Sequence, residues 1–407
     1  MDAAATAETV ARENYTWLLA VLAARTGDVA GAEDALSDAF AAALAEWPLT
    51  GVPDNPRAWL LAVARRKRID AARRARTAFG AADHLRLLAD EQAEAEAADL
   101  PDQRLALMFV CAHPAIDQAM RAPLMLQTVL GLDAARIASA FLIAPSTMGQ
   151  RLVRAKTRIR QTAIPFAMPE PADLAERLEA VLDAVYAAFA TGWTDPAGAD
   201  PRQGDLAQEA IWLCRLLASL LPDQPEALGL LALMLYSEAR RRARRSDGGD
   251  YVPLDQQDVS AWDTALIAEA EAVLRRAGSY GQFGRYQLEA ALQSAHVARR
   301  RSGVANWDAI VRLYDGLLAL TGSPVVAINR AVAVAAVDGA TVGLATLDTL
   351  AADLRLSEYQ PYWAARASLL MRTGEMEAAR LAYQRAIGLE PDPAVRRFLQ
   401  AQLAALG

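Results

Sequence analysis

From Ala32 to Trp47 the apolar side chains recur at three- and four-residue steps: Ala32, Ala35, Leu36, Ala39, Phe40, Ala43, Leu44 and Trp47. That period puts them on one stripe of an α-helix over about residues 29–47, with Asp28 placed to cap it. Glu33, Asp34, Ser37 and Asp38 fall on the other side. Alanine and leucine dominate the rest of the chain, β-branched residues cluster only briefly, and Pro and Gly recur at intervals that suit turns between helices. The pattern predicts an all-α protein. Its 407 residues are enough for two or three domains, each with its own core.

Charge is distributed in blocks. The formal net charge of −7 comes wholly from the C-terminal part, because residues 1–165 carry 19 basic and 19 acidic side chains. Within that balanced part, residues 1–50 hold eight acids against two arginines. The sign then reverses in NPRAWLLAVARRKRIDAARRAR, residues 55–76, where Arg57, Arg65, Arg66, Lys67, Arg68, Arg73, Arg74 and Arg76 face Asp70 alone. A net +7 over residues 57–76, interleaved with Trp59, makes an anion-binding surface. Residues 77–103 turn acidic again and read as a linker, with Phe79 their one aromatic side chain.

Residues 104–164 form a second block. LDAARIASAF reads as a helix capped by Asp133, LIAPS as a turn, and STMGQRLVRAKTRIR as a helix that begins near Pro145. Two short helices joined by a tight turn, the second rich in Arg and Lys, make a helix-turn-helix. Met148, Leu152, Ala155 and Ile159 share its inner face, and Thr147, Arg151, Arg154 and Arg158 its outer face, with Gln150 beside them. Lys156 and Arg160 count among the five basic residues of this acid-free stretch.

Pro165, Pro169 and Pro171 mark the next boundary, beyond which helix follows helix. Trp363, Ala367, Leu370, Gly374, Ala379, Tyr383, Ala386 and Pro391 fit the tetratricopeptide pattern. Gly303, Gly339 and Gly374 stand 36 and 35 residues apart, near that repeat length, and residues 225–239 look like the first helix of an earlier, degenerate copy.

Enzyme signatures are missing: there is no GxxxxGK loop, GxSxG elbow or HExxH pair, and only His84, His113 and His296 are available as histidines. Neither a catalytic residue nor a cofactor is assigned. Cys111 and His113 lack two of the four ligands of a metal site and read as a helix end stopped by Pro114. Asp247, Asp250, Asp255 and Asp258 do not follow calcium-loop spacing and read as an ordered loop. Trp307 and Tyr314 read as core. Two cysteines, no signal-peptide pattern and no span long enough for a bilayer fit a cytoplasmic protein without a membrane partner.

The order of the blocks resembles the extracytoplasmic-function sigma factors of the sigma-70 family, over roughly residues 10–164. GDVAGAEDALSDAF is similar to the family's polymerase-binding helix and NPRAWLLAVARRKRIDAARR to its −10 recognition helix. IASAFLIAPSTMGQRLVRAKTRIR is similar to its −35 unit. The repeat-like tail, with DGGDYVPLDQQDVSAW and SPVVAINRAVAVA, resembles the extension of one subgroup. The resemblance implies sigma region 2 over residues 8–76, a linker over 77–103, sigma region 4 over 104–164 and a tetratricopeptide-like extension over 170–407. It implies core RNA polymerase (β′ clamp helices and β flap) and promoter DNA as partners, and a DGPF/YCII-like small protein as a further one.

Carried over by position, Asp34, Ser37, Asp38 and Phe40 would face the clamp helices. Trp59, Arg65, Arg66, Arg68, Asp70 and Arg73 would lie at the −10 element, and Thr147, Gln150, Arg151 and Arg154 at the −35 element. The wider family often has Gln where Ser37 stands and Asn where Arg66 stands. Two other readings fit part of the pattern: a helix-turn-helix regulator or tetratricopeptide scaffold that never touches polymerase, and an all-helical enzyme. The second basic block and the acidic linker count against the first, and the missing chemistry against the second.

Overall fold

The computed structural model describes residues 3–24, 27–75, 103–141, 143–193 and 201–406. These form eighteen α-helices, with no strand among the described residues. The predicted acidic linker lies outside them, apart from Gln103. The chain divides into two compact units, residues 1–191 and 192–407.

In the first unit α1 (Ala3–Ala24), α2 (Val29–Thr50) and α3 (Pro56–Ala75) pack on one another. Asp28 caps α2 by accepting the Gly31 N–H at 3.1 Å. Six of the predicted stripe residues are buried, whereas Phe40 is half-buried and Leu44 is exposed at the stripe's margin. The helix runs past Trp47 through Pro48, and Gly51 closes it by donating to the Trp47 carbonyl at 3.0 Å. Helix α1 precedes the first helix expected from periodicity. It buries Leu18, Leu19 and Leu22, each stabilising the fold by about 1.5–3 kcal/mol.

Helices α4 (Gln103–Cys111), α5 (Gln118–Leu130), α6 (Ala134–Ala140), α7 (Pro145–Gln161) and α8 (Leu174–Trp193) follow. Helix α1 also packs on α4 and α5, and α2 packs on α7, so the helix-turn-helix and the N-terminal helices share one unit. Asp133 caps α6 by accepting the Arg136 N–H at 2.8 Å, and Pro145 opens α7, as the sequence indicates. Cys111 is buried against Thr128 at 3.1 Å, and burial pushes its thiol up to about 12. His113 Nδ1 accepts the Ala115 N–H at 3.0 Å.

The second unit holds α9 (Pro201–Leu220), α10 (Pro225–Ala239), α11 (Thr264–Gly278), α12 (Arg285–Ser302), α13 (Trp307–Thr321), α14 (Pro324–Val337), α15 (Ala340–Asp348), α16 (Gln360–Thr373), α17 (Met376–Leu389) and α18 (Pro393–Ala404). Consecutive helices pack pairwise, and α10 is buried on nearly every side between α9, α11 and α12. Gly303, Gly339 and Gly374, all with positive φ, sit in the turns α12–α13, α14–α15 and α16–α17. The spacing read from the sequence is therefore that of a recurring turn.

One cap comes from another helix. The Glu226 carboxylate on α10 accepts the backbone N–H of Tyr286 at 2.9 Å and of Gln287 at 3.1 Å, serving the N-terminus of α12. A Cβ at Gly284 would collide with that carboxyl group, so a larger residue there would displace the cap. No helix among the described residues is long and apolar enough to cross a membrane, and none of their His, Cys, Asp or Glu side chains group in threes about a possible metal.

Candidate nucleic-acid interface

Asn55 stands just before helix α3, and its Oδ1 accepts the Ala58 N–H of the first turn at 3.0 Å. That turn is fixed by aromatic contacts. Trp59 is half-buried edge-on against Trp47, ring centroids 5.5 Å apart, and the Arg57 guanidinium lies 3.7 Å from the Trp17 ring centroid. Arg57 is exposed and belongs to this surface, although no motif singled it out; the aromatic partner is 40 positions away on α1. Arg66 and Lys67 are also exposed, and Arg65 is half-buried. Arg68 turns back, its Nη1 donating to the Leu22 carbonyl at 2.7 Å, and so ties α3 to the end of α1. The side chains of Asp70 and Arg73 lie outside the described residues.

Helix α7 buries Met148, Leu152, Ala155 and Ile159 and exposes Gln150, Arg151, Arg154 and Arg158, with Thr147 half-exposed. The division follows the helical period and matches the sequence reading of both faces. One cation departs from the basic surface: Lys156 points inward, beside Leu152 and Ala155, and pairs with Glu33 of α2. Glu33 likewise leaves the polar side of α2 on which the periodicity put it. Burial pushes its carboxyl up, and Lys156 offsets part of that rise. Charge favours solvent for a side chain considered alone, but an opposite charge at the same depth removes much of the desolvation cost.

Arg151, Arg154 and Arg158 line a cleft of about 500 Å³ whose other wall is Ala115, Ile116, Asp117 and Met120 at the start of α5. The exposed face thus presents three guanidiniums and, at Gln150, an amide. Those groups match phosphate oxygens and base edges.

The acidic side of α2 is separate. Asp34, Ser37 and Asp38 are exposed and clustered, while Phe40 lies half-buried beside them. Helix α2 packs against both α3 and α7, so one element supports the two basic surfaces and carries the acidic one.

Residues 10–78, from α1 through α3, match the family described as Sigma-70 region 2. Residues 177–278 match a family of unknown function, DUF6596. An uncharacterized protein of Rhizobium meliloti (strain 1021) is 39% identical over 378 residues, covering 91% of this chain and 89% of the relative. No solved structure matches the chain.

Proposed function

Because residues 10–78 match Sigma-70 region 2, we propose that the chain is a sigma-70 family member that directs core RNA polymerase to promoters as an extracytoplasmic-function sigma factor. In this reading α2 docks on the β′ clamp helices through Asp34, Ser37, Asp38 and Phe40. Helix α3 serves the −10 element through Trp59, Arg65, Arg66, Arg68, Asp70 and Arg73, to which Arg57 is added. Helix α7 reads the −35 element through Thr147, Gln150, Arg151 and Arg154. The paired helices of the second unit act as a tetratricopeptide-like regulatory extension, with a DGPF/YCII-like small protein as a candidate partner.

The observation that carries the proposal is one chain presenting an exposed acidic patch on the helix that supports two exposed basic helices. A DNA-binding regulator needs the basic helices but has no use for the acidic patch. The test is association with purified core polymerase, followed by transcription from a candidate promoter. The wild-type chain should bind core, and Asp34→Arg with Asp38→Arg should abolish binding, because like-charge contact at an interface costs several kcal/mol. Equal retention of core by both proteins at low salt would leave the DNA-binding regulator as the better reading.

A further inference from the structure

The segment 246–262, DGGDYVPLDQQDVSAW with its preceding Ser, is unused by the sigma reading. In the second unit it covers a cluster of arginines. Arg240 follows α10 and is 9% exposed, Arg244 lies in the short turn after it, and Arg299 comes from α12. Val252 N–H donates to the Arg244 carbonyl at 2.9 Å, and Asp263 N–H to the Ala239 carbonyl at 2.9 Å. Arg299 Nη2 donates to the Leu254 carbonyl at 2.8 Å, and its guanidinium lies 5.6 Å from the ring centroid of buried Trp262.

The cluster holds more positive charge than its partners balance. Arg240 Nη2 donates to the neutral Gln293 Oε1 at 2.5 Å, and its buried Nε has no acceptor. Arg244 donates to the Trp193 carbonyl at 3.0 Å. Among the described residues no carboxylate bonds to Arg240, Arg244 or Arg299. The acids nearby are engaged elsewhere, Asp392 with Arg245 and Asp250 with Arg397. The buried Trp262 Nε1 also lacks an acceptor. Burial, then Arg244 and Arg299, bring the Arg240 guanidinium down to about 10. Burial, then Arg240 and Arg299, push His296 of α12 down to about 4.

Buried charges are normally paired, because desolvation of a lone ion costs several kcal/mol. An oxyanion would supply both the missing charge and the missing acceptors, and planar guanidiniums fit phosphate oxygens in pairs. We propose that Arg240, Arg244 and Arg299, covered by the 246–262 loop, bind a phosphate group, either free or as a small phosphomonoester. The depth of Arg240 favours a small ligand over a nucleic-acid backbone. This site stands independently of the promoter reading, since it lies in the other unit.

The test is thermal unfolding of the full chain with inorganic phosphate, against sodium chloride at equal ionic strength. Phosphate should raise Tm saturably beyond chloride. Arg299→Gln should weaken the half-saturating concentration roughly tenfold, the loss of one charge-assisted fork. Arg242→Gln, exposed beside the cluster, should leave it unchanged. If Arg299→Gln does not fold, Arg299→Lys keeps the charge but removes the fork, and the same weakening is expected. AMP separates the two sources: half-saturation below that of inorganic phosphate assigns the site to an ester, and above it to the free anion. A rise no larger than chloride gives, or one equal in wild type and Arg299 variants, overturns the site.

Discussion

Lys156 and Glu33, 123 residues apart in sequence, meet inside the first unit, where the α7 ammonium donates to Glu33 Oε2 of α2. Their side chains are 8% and 16% exposed, so neither charge is well hydrated if its partner is lost. Lys156→Met alone should destabilise the first unit by about 3–5 kcal/mol, because it strands a buried carboxylate. Lys156→Met combined with Glu33→Leu should recover most of that loss. Urea denaturation of the four proteins of the cycle measures it, and additive single effects would contradict the coupling.

The same contact bears on promoter engagement. Elements centred at −10 and −35 stand about 25 base pairs apart, roughly 85 Å along B-DNA at 3.4 Å per pair. A compact unit of 191 residues has a radius of gyration near 16 Å and is roughly 40 Å across. For α3 and α7 to occupy both elements, the α2–α7 contact has to open. Energy transfer between dyes on α3 and α7 should therefore fall when core polymerase and promoter DNA are both added. An unchanged signal in an active complex would mean that one of the two helices stays off the DNA.

On α7 the two ends of the arginine row should behave differently. Arg151→Ala should reduce discrimination among −35 sequences by about 1–3 kcal/mol, as the loss of a bidentate base contact does. Arg158, in the last turn, is expected at phosphate, so Arg158→Ala should weaken all sequences alike and lower the salt slope by about one. Binding isotherms on a small panel of sites at several salt concentrations distinguish them. Identical profiles would show that the two arginines do the same work.

His296 makes the second unit acid-sensitive. Its folded pKa of about 4 lies below the model-compound 6.5, so between those values the unfolded chain binds the extra proton. Stability is then fully present above 6.5 and is lost as pH falls toward 4, by about 2–3 kcal/mol. His296→Gln should flatten that part of the stability profile, measured by denaturation at stepped pH. Equal slopes in both proteins would assign the acid sensitivity to another group.

The helix-turn-helix was legible because its signals are local. Asp133 as a cap, Pro145 as a start and the apolar set from Met148 to Ile159 lie within one short window, and each specifies its structure without help from elsewhere. Glu33 and Lys156 were not legible as a pair, since each alone belongs in water and only the packing of α2 on α7 brings them together. Arg57 was counted as one charge among eight, and its seat on Trp17 depends on α1, whose place in the core comes from partners on α4 and α5. The arginine cluster was hidden for a similar reason. Arg240 and Arg244 are hydrophilic by type, and it takes the return of α12 and the 246–262 loop to enclose them.

The cap that Glu226 supplies to α12 also makes the start of that helix depend on a long loop closure. Stacked helical pairs ordinarily nucleate anywhere and spread from neighbour to neighbour. Here the first free amides of α12 acquire their acceptor only when the 60 residues separating Glu226 from Tyr286 close into a loop. Helices α10 and α12 consequently form a clasp that encloses α11 and the 246–262 segment. A protease cut within that segment should leave the two fragments associated under native conditions, held by the packing of α10 on α11 and α12 together with the Glu226 cap.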